Sequence, residues 1–248
     1  MKCSKKVIIT GASKGIGLEI CKNFLNQNYE VLAISRTIPP IYNKNLFHLK
    51  INLSKRKELE KFKKKIINFK TNYLISNAGD LGEIGSINKI NVKKWEESFF
   101  LNLFSHVTIT KYCLPNILNK KGKIIFLAGG GSANSFPNFS AYSVAKTALV
   151  RFCENLADEN KGKIITNIIS PGAINTGLLR KSLKHGHAVN QNKIITAEKC
   201  IELINFLIKN NKNFYNGKFI HALDPYKKFN EFNTDNKFLL RRIENRSL

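Results

Sequence analysis

Residues 6–17 read KVIITGASKGIG. A run of β-branched residues ends at Thr10, glycines stand at 11, 15 and 17, and Ile16, Ile20 and Phe24 then recur at helical spacing. A strand that passes through a glycine turn straight into a helix leaves the next strand only one ready position, beside the first and parallel to it. The alternation continues along the chain. Strand-like runs occupy 6–10, 30–35, 46–52, 73–76, 123–127, 163–169 and 218–223. Helical patterns lie between them. Around the basic stretch 55–65, Leu59, Phe62, Ile66 and Phe69 recur at helical spacing, Trp95, Phe99, Leu103 and Val107 align within 92–119, and 140–159 forms another helix. Thr196 stands as the N-cap of a helix running through Ile208.

Strands alternating with helices of this length predict an α/β fold, a single Rossmann-type doubly wound parallel sheet of about seven strands with helices on both faces. One domain over 1–228 accounts for the alternation. Two segments fall outside it. The stretch 176–195 is polar, has few structural signals and suits a substrate lid, and 229–248 reads as a C-terminal tail.

The turn itself carries chemistry. Glycines let the backbone bend sharply and approach a pyrophosphate closely, and the following helix N-terminus offers unpaired N–H groups and a partial positive charge. The spacing is G-x-x-x-G-x-G. The segment TGASKGIG resembles the cofactor turn of the short-chain dehydrogenase/reductase family. Four later motifs agree in order: Asn77-Ala78-Gly79 after the fourth strand, Asn102 in the long helix, Tyr142 and Lys146 as a YxxxK pair, and Pro171-Gly172 leading to Ile174 and Thr176. Together they cover about residues 5–223.

The resemblance implies NAD(P)-dependent interconversion of a carbonyl and an alcohol on a small molecule. Tyr142 would exchange the proton, Lys146 would hold the nicotinamide ribose, and Asn102 would support a water leading to Lys146. A phenol titrates near 10, so the neighbouring ammonium is expected to lower Tyr142. Gly11, Ser13, Lys14, Gly15, Ile16 and Gly17 would cradle the dinucleotide. Ser35 and Arg36, Asn52 and Leu53, Asn77, Ala78 and Gly79, and Pro171, Gly172, Ile174 and Thr176 would complete the cofactor site. Members that prefer NAD end the second strand with an acid for the ribose hydroxyls. This chain has Ser35-Arg36 there and Lys14 in the turn. NADP(H) is therefore the expected cofactor, with NAD(H) as the alternative.

One family residue is missing. The serine usually found thirteen positions before the tyrosine is Gly129, within LAGGGS. Loss of such a polar contact typically costs about 10²–10³ in rate. Three substitutes stay open: Ser132, a glycine N–H, or a hydroxyl brought by the substrate. The glycine run also removes bulk, which would admit a wide substrate. With FSAYSVAKTALVRFCENLA and GKFIHALD it resembles bacterial members linked to surface carbohydrate or nucleotide-sugar pathways. A 3-oxoacyl-thioester reductase is the second enzyme reading, and a non-catalytic NADP-binding regulator is the reading of another class.

Composition narrows the remaining choices. The formal charge is +24, yet the lysines are dispersed, and 31 asparagines point to compositional bias more than to a specific nucleic-acid binder. In the lid, Arg180, Lys181, Lys184, His185 and His187 suit an acidic group or an ordinary basic surface. His185 and His187 lack metal-ligand partners, and no metal is expected. Five cysteines (Cys3, Cys21, Cys113, Cys153 and Cys200) include no CxxC pair, which fits a reducing cytoplasm. The N-terminus does not read as a signal peptide, and no apolar run reaches the length of a membrane span. The resemblance implies a homodimer or homotetramer built on the Tyr-bearing helix and the last strand, and Val144, Ala148 and Phe152 on that helix suit such a face or simply the core.

Overall fold

The computed structural model describes residues 5–189 and 194–231. Seven parallel strands make the main sheet: β1 (Lys6–Thr10), β2 (Glu30–Ser35), β3 (Leu46–Lys50), β4 (Tyr73–Ser76), β5 (Lys123–Leu127), β6 (Ile165–Ser170) and β9 (Phe219–His221). Their order is β3-β2-β1-β4-β5-β6-β9. The chain builds outward from β1 to β3, then returns to the other side of β1 to place β4. Two connections therefore diverge between β1 and β4, and a crevice opens above their C-terminal ends. A two-stranded parallel pair, β7 (Ala173–Ile174) with β8 (Ile194–Ile195), sits beside the sheet.

The helices cover both faces. They are α1 (Gly15–Asn26), α2 (Arg56–Lys61), α3 (Lys63–Asn68), α4 (Val92–Phe99), α5 (Ser105–Asn119), α6 (Ser140–Glu159), α7 (Gly177–Lys184) and α8 (Ala197–Lys209). Strand residues alternate between two cores. Val7 and Ile9 face a cluster with Phe24 of α1 and Leu203 of α8, whereas Ile8 faces a cluster with Ile109 of α5 and Leu149 of α6. All three are fully buried. Truncating such a side chain to alanine costs about 2–5 kcal/mol.

Several boundaries differ from the sequence reading. The basic helix breaks at Phe62, whose backbone leaves helical geometry. The 92–119 pattern is interrupted by a π-helical turn, Phe100–Phe104. Three expected strands are shorter or shifted: β3 stops at Lys50, β6 runs Ile165–Ser170, and β9 is limited to Phe219–His221. Thr196 does occupy the N-cap of α8, but its side chain makes no capping hydrogen bond. The lid segment contains a helix, α7, capped by the Thr176 hydroxyl, which accepts from Leu179 N–H. Phe229, read as the first residue of a tail, is buried and stacks on Tyr215. The rest of that tail from residue 232 lies outside the described residues, as do Cys3 and lid residues 190–193. Cys21, Cys113, Cys153 and Cys200 are buried and free. Among the described residues no helix is long and apolar enough to cross a membrane.

Candidate active site

A cleft of about 1270 Å³ opens above the C-terminal ends of β1, β4, β5 and β6. The glycine turn forms its floor. Gly11 and Gly15 have φ of +68° and +57°, the left-handed region that glycine enters at little cost. Gly17 has ordinary dihedrals but no room: a Cβ would lie 2.2 Å from the Gly11 carbonyl oxygen. The turn thus packs helix α1 tightly against the sheet. Lys14 is the N-cap of α1 and supplies no side-chain cap, so the first N–H groups of that helix remain available to an anion. This cradle fits a dinucleotide pyrophosphate.

Thr10 and Asn77 brace the turn. The Thr10 hydroxyl accepts from the N–H groups of Asn77 and Ala78, at 2.9 and 3.0 Å. The Asn77 amide donates to the carbonyls of Thr10 and Gly11, at 3.0 and 3.3 Å. Its NH₂ group therefore ties the β4 loop to the glycine turn. Asn52 is similarly engaged, its side-chain oxygen accepting from Ser54 N–H and Oγ–H. At the end of β2, exposed Arg36 and buried Ser35 line the cleft.

Helix α6 carries the candidate reactive pair. Tyr142 and Lys146 are one turn apart and both buried. The Lys146 ammonium donates to the carbonyl of Leu127 at the end of β5, at 2.9 Å. Burial lowers Lys146 to about 7 and pushes Tyr142 up to about 12. The expected lowering of Tyr142 is thus reversed by the protein's own groups: desolvation outweighs an ammonium that is itself disfavoured by burial. The phenol keeps its proton at neutral pH.

Asn102 lies inside the π turn and is fully buried. Its amide donates to Asp80 O and Ser98 O, and its oxygen accepts from Asp80 N–H. π turns often mark functional positions; here the turn aims one asparagine at the loop after β4. A Cβ at Gly79 would meet both Asn102 Oδ1, at 3.1 Å, and Lys146 Nζ, at 3.4 Å. The two polar ends therefore converge on the same backbone.

The structure brings almost all the expected residues together. Gly11 to Gly17 except Ala12, Ser35, Arg36, Asn52, Leu53, Asn77 to Gly79, Asn102, Gly129, Tyr142, Lys146, Pro171, Gly172, Ile174 and Thr176 line this one cleft. Ser132 does not. It is buried, with its hydroxyl accepting from Gly129 N–H at 3.4 Å and its carbonyl accepting from Thr147. It holds the turn and does not line the cleft. The glycine run is also less open than its composition suggests. A Cβ at Gly129 would lie 2.6 Å from the Tyr142 hydroxyl, and one at Gly131 would lie 2.7 Å from the Phe136 ring. Two of the three side-chain spaces are therefore already filled, by Tyr142 and Phe136, and only Gly130 faces open space.

Of the basic lid residues, Arg180, Lys181 and His187 line the cleft, and Lys184 and His185 do not. Lys181 pairs with Asp80 across the mouth at 2.8 Å, and Arg180 donates to Asn175. Sequence reasoning missed Asp80, Phe136 and His106. His106 is fully buried between Ser76 Oγ, at 2.7 Å, and the Ala78 carbonyl, at 2.9 Å. Burial and the nearby Lys146 charge lower its pKa well below the usual histidine value. It is a neutral support under the loop carrying Ala78 and Gly79. Its position one turn after Asn102 was the available signal.

Comparison with known proteins adds to this geometry. The short chain dehydrogenase family matches the chain over residues 5–186. A 3-oxoacyl-[acyl-carrier-protein] reductase of Buchnera aphidicola is 31% identical over 239 residues, spanning 90% of this chain and 97% of that protein. The benzil reductase ((S)-benzoin forming) of Saccharomyces cerevisiae is 30% identical over 190 residues, 69% of this chain and 72% of that protein. A short chain dehydrogenase of Shigella flexneri, solved as a complex with NADP, superposes with a TM-score of 0.77 at 20% identity, covering 89% and 97% of the two chains.

Proposed function

Since the chain belongs to the short-chain dehydrogenase family of oxidoreductases, we propose that it interconverts a carbonyl and an alcohol with NADP(H), using Tyr142 as the proton donor and Lys146 and Asn102 as its support. The observation that carries this reading is the position of buried Tyr142 and Lys146 on one face of α6, opening into the same cleft as the glycine turn. When bound, the nicotinamide supplies or takes up the hydride, so that in reduction the C=O group gains one C–H and one O–H bond with two electrons from NADPH.

The chain's own residues supply the rest. Tyr142, protonated across the physiological range, donates to the carbonyl oxygen as charge develops on it. Lys146 has one protein acceptor among the described residues, which leaves its other protons to ribose hydroxyls and to the phenol oxygen. Asn102 fixes the loop of Asp80 beside that amine. Arg36 and Lys14 offer cations to a 2′-phosphate, and no acid at the end of β2 repels it. The NADP complex of the Shigella flexneri relative supports the same preference. The family frame also supports a homodimer or homotetramer through α6 and β9. Val144 is exposed on α6, whereas Phe152 packs on Phe126 and belongs to the core.

The Buchnera aphidicola relative favours a second reading, reduction of a 3-oxoacyl thioester. The net charge of +24 would attract an acidic carrier. Replacing Tyr142 by phenylalanine tests the shared chemistry. NADPH binding should survive and turnover should fall by about 10²–10⁴, measured by cofactor titration and steady-state kinetics. Persisting turnover would remove Tyr142 from the mechanism.

A further inference from the structure

A third apolar cluster stands apart from the two cores of the sheet, and it is built around the candidate proton donor. Leu81, Phe139 and Tyr142 are buried in it, with Ile84, Phe136 and Leu178 packed against them. Three separate chain segments converge there: the loop after β4, the loop before α6, and lid helix α7. Leu81, Leu178, Phe136 and Tyr142 also line the cleft. This cluster is therefore wall and not only filling.

Its rings are fixed before any substrate arrives. Phe136 stacks on buried Phe139 with centroids 4.3 Å apart. Its edge rests on the backbone of Gly131, where no side chain fits. Tyr142 and His187 both meet it near the perpendicular, at 6.4 and 4.6 Å between centroids. Partial burial lowers the His187 pKa from its ordinary value, which favours the uncharged ring. The charged pair at the mouth, Lys181 with Asp80, is internally neutralised. Arg180 also lines the cleft, bonded to the neutral Asn175 amide, but the side chains packed around the Phe136 ring are apolar or aromatic. The ring faces and edges that this wall turns to the cleft can pack against another flat ring.

We propose that the carbonyl substrate of this site is uncharged and carries an aromatic ring next to the carbonyl carbon, seated among Phe136, Leu81, Leu178 and His187 with its oxygen at Tyr142. This rests on the reading of Tyr142 as proton donor. Aromatic packing beyond simple area burial predicts a preference of about 2- to 10-fold over a puckered ring of the same size.

The test compares acetophenone with cyclohexyl methyl ketone, using the full chain and NADPH. A keto-sugar and a 3-oxoacyl thioester are run alongside. The expected result is a higher kcat/KM for acetophenone, with the ratio of the two ketones falling towards one in Phe136→Leu. Calorimetry of 1-phenylethanol and 1-cyclohexylethanol on the protein with NADP⁺ should give the same ordering without turnover. A ratio unchanged in Phe136→Leu, equal binding of the two alcohols, or turnover confined to the sugar or the thioester would overturn the proposal. Tyr142→Phe separates the two claims. It should lose turnover yet keep the ring-dependent binding; retained turnover would defeat the proton-donor reading, with the ring preference still decided by calorimetry.

Discussion

A buried lysine amine stands at each end of strand β5, one from the strand itself and one from helix α6, and the two do opposite work. Lys123 begins the strand, and its ammonium donates to the carbonyls of Leu207, Ile208 and Asn210, at 2.8, 2.9 and 2.5 Å. All three of its protons are used, and they satisfy the C-terminal end of α8, where carbonyls lack helical partners and the helix dipole is negative. Lys146 sits at the other end of the strand and gives one proton to Leu127 O. Burial lowers both amines, Lys123 to about 8 with Lys5 adding to the shift, and Lys146 to about 7. The desolvation is the same in kind; the number of acceptors differs. A fully satisfied buried amine is a clamp, whereas one with a single acceptor keeps its remaining N–H groups for the cleft.

The largest effect should come from breaking the upper lysine. Lys146→Met is expected to lower turnover by about 10²–10⁴ while the thermal midpoint holds or rises, because a buried amine disfavoured in its charged form is removed. Kinetics and thermal unfolding on one preparation decide this. A midpoint that drops sharply would make Lys146 a structural clamp like Lys123 and erase the contrast.

The upper end also tolerates no added bulk, which yields the next effect in size. Gly129→Ser would restore the family's usual residue, yet its Cβ would fall 2.6 Å from the Tyr142 hydroxyl. The phenol must move or the backbone must give. Overpacking of this kind costs about 1–3 kcal/mol, and displacement of the proton donor should lower kcat by about 10-fold or more. A rise in kcat would mean that the tyrosine yields and that the position still serves as a hydrogen-bond donor site.

Much of this was legible in advance, for physical reasons. Parallel strands buried on both faces are continuous apolar runs, so β1, β2, β4 and β5 have the expected bounds. Helix α6 is likewise as expected. The π turn was invisible because Trp95, Phe99 and Leu103 keep their spacing straight through it; what changes is hydrogen bonding around Asn102. Helix α7 was hidden by its short polar sequence GLLRKSLK, although Thr176 was available as a cap. In the site, motif residues were found because each motif is local. Among the three substitutes left open for the missing serine, the sequence could not decide on Ser132, because its orientation is set by Gly129 and Thr147. Lys181 with Asp80 and Phe136 with His187 join residues far apart in sequence, and no spacing rule reaches them.

At the lower end the effect should be on stability alone. Lys123→Met leaves the carbonyls of Leu207, Ile208 and Asn210 without that donor. Hydrogen bonds to a charged group support a loss of about 2 kcal/mol, read by urea unfolding, with kcat within a factor of about three of the parent. Loss of turnover without loss of stability would show that the two ends of β5 are coupled.

The finest comparison is in the pH dependence of that stability. An amine whose folded pKa lies below the ordinary value of 10.5 binds its proton more readily in the unfolded chain. Between about 7 and 10.5 for Lys146, and between about 8 and 10.5 for Lys123, the unfolded state therefore holds more protons, and stability rises with pH through those windows. One proton corresponds to a slope of about 1.4 kcal/mol per pH unit. Each methionine variant should lose up to that slope relative to the parent, and the flattening should begin about one unit lower for Lys146→Met than for Lys123→Met. Urea unfolding of the three proteins at intervals from pH 6.5 to 10 measures it. If both variants flatten over the same range, the three carbonyl acceptors of Lys123 do not hold its proton any better than the single acceptor of Lys146 does, and the number of partners is not what distinguishes the two ends of the strand.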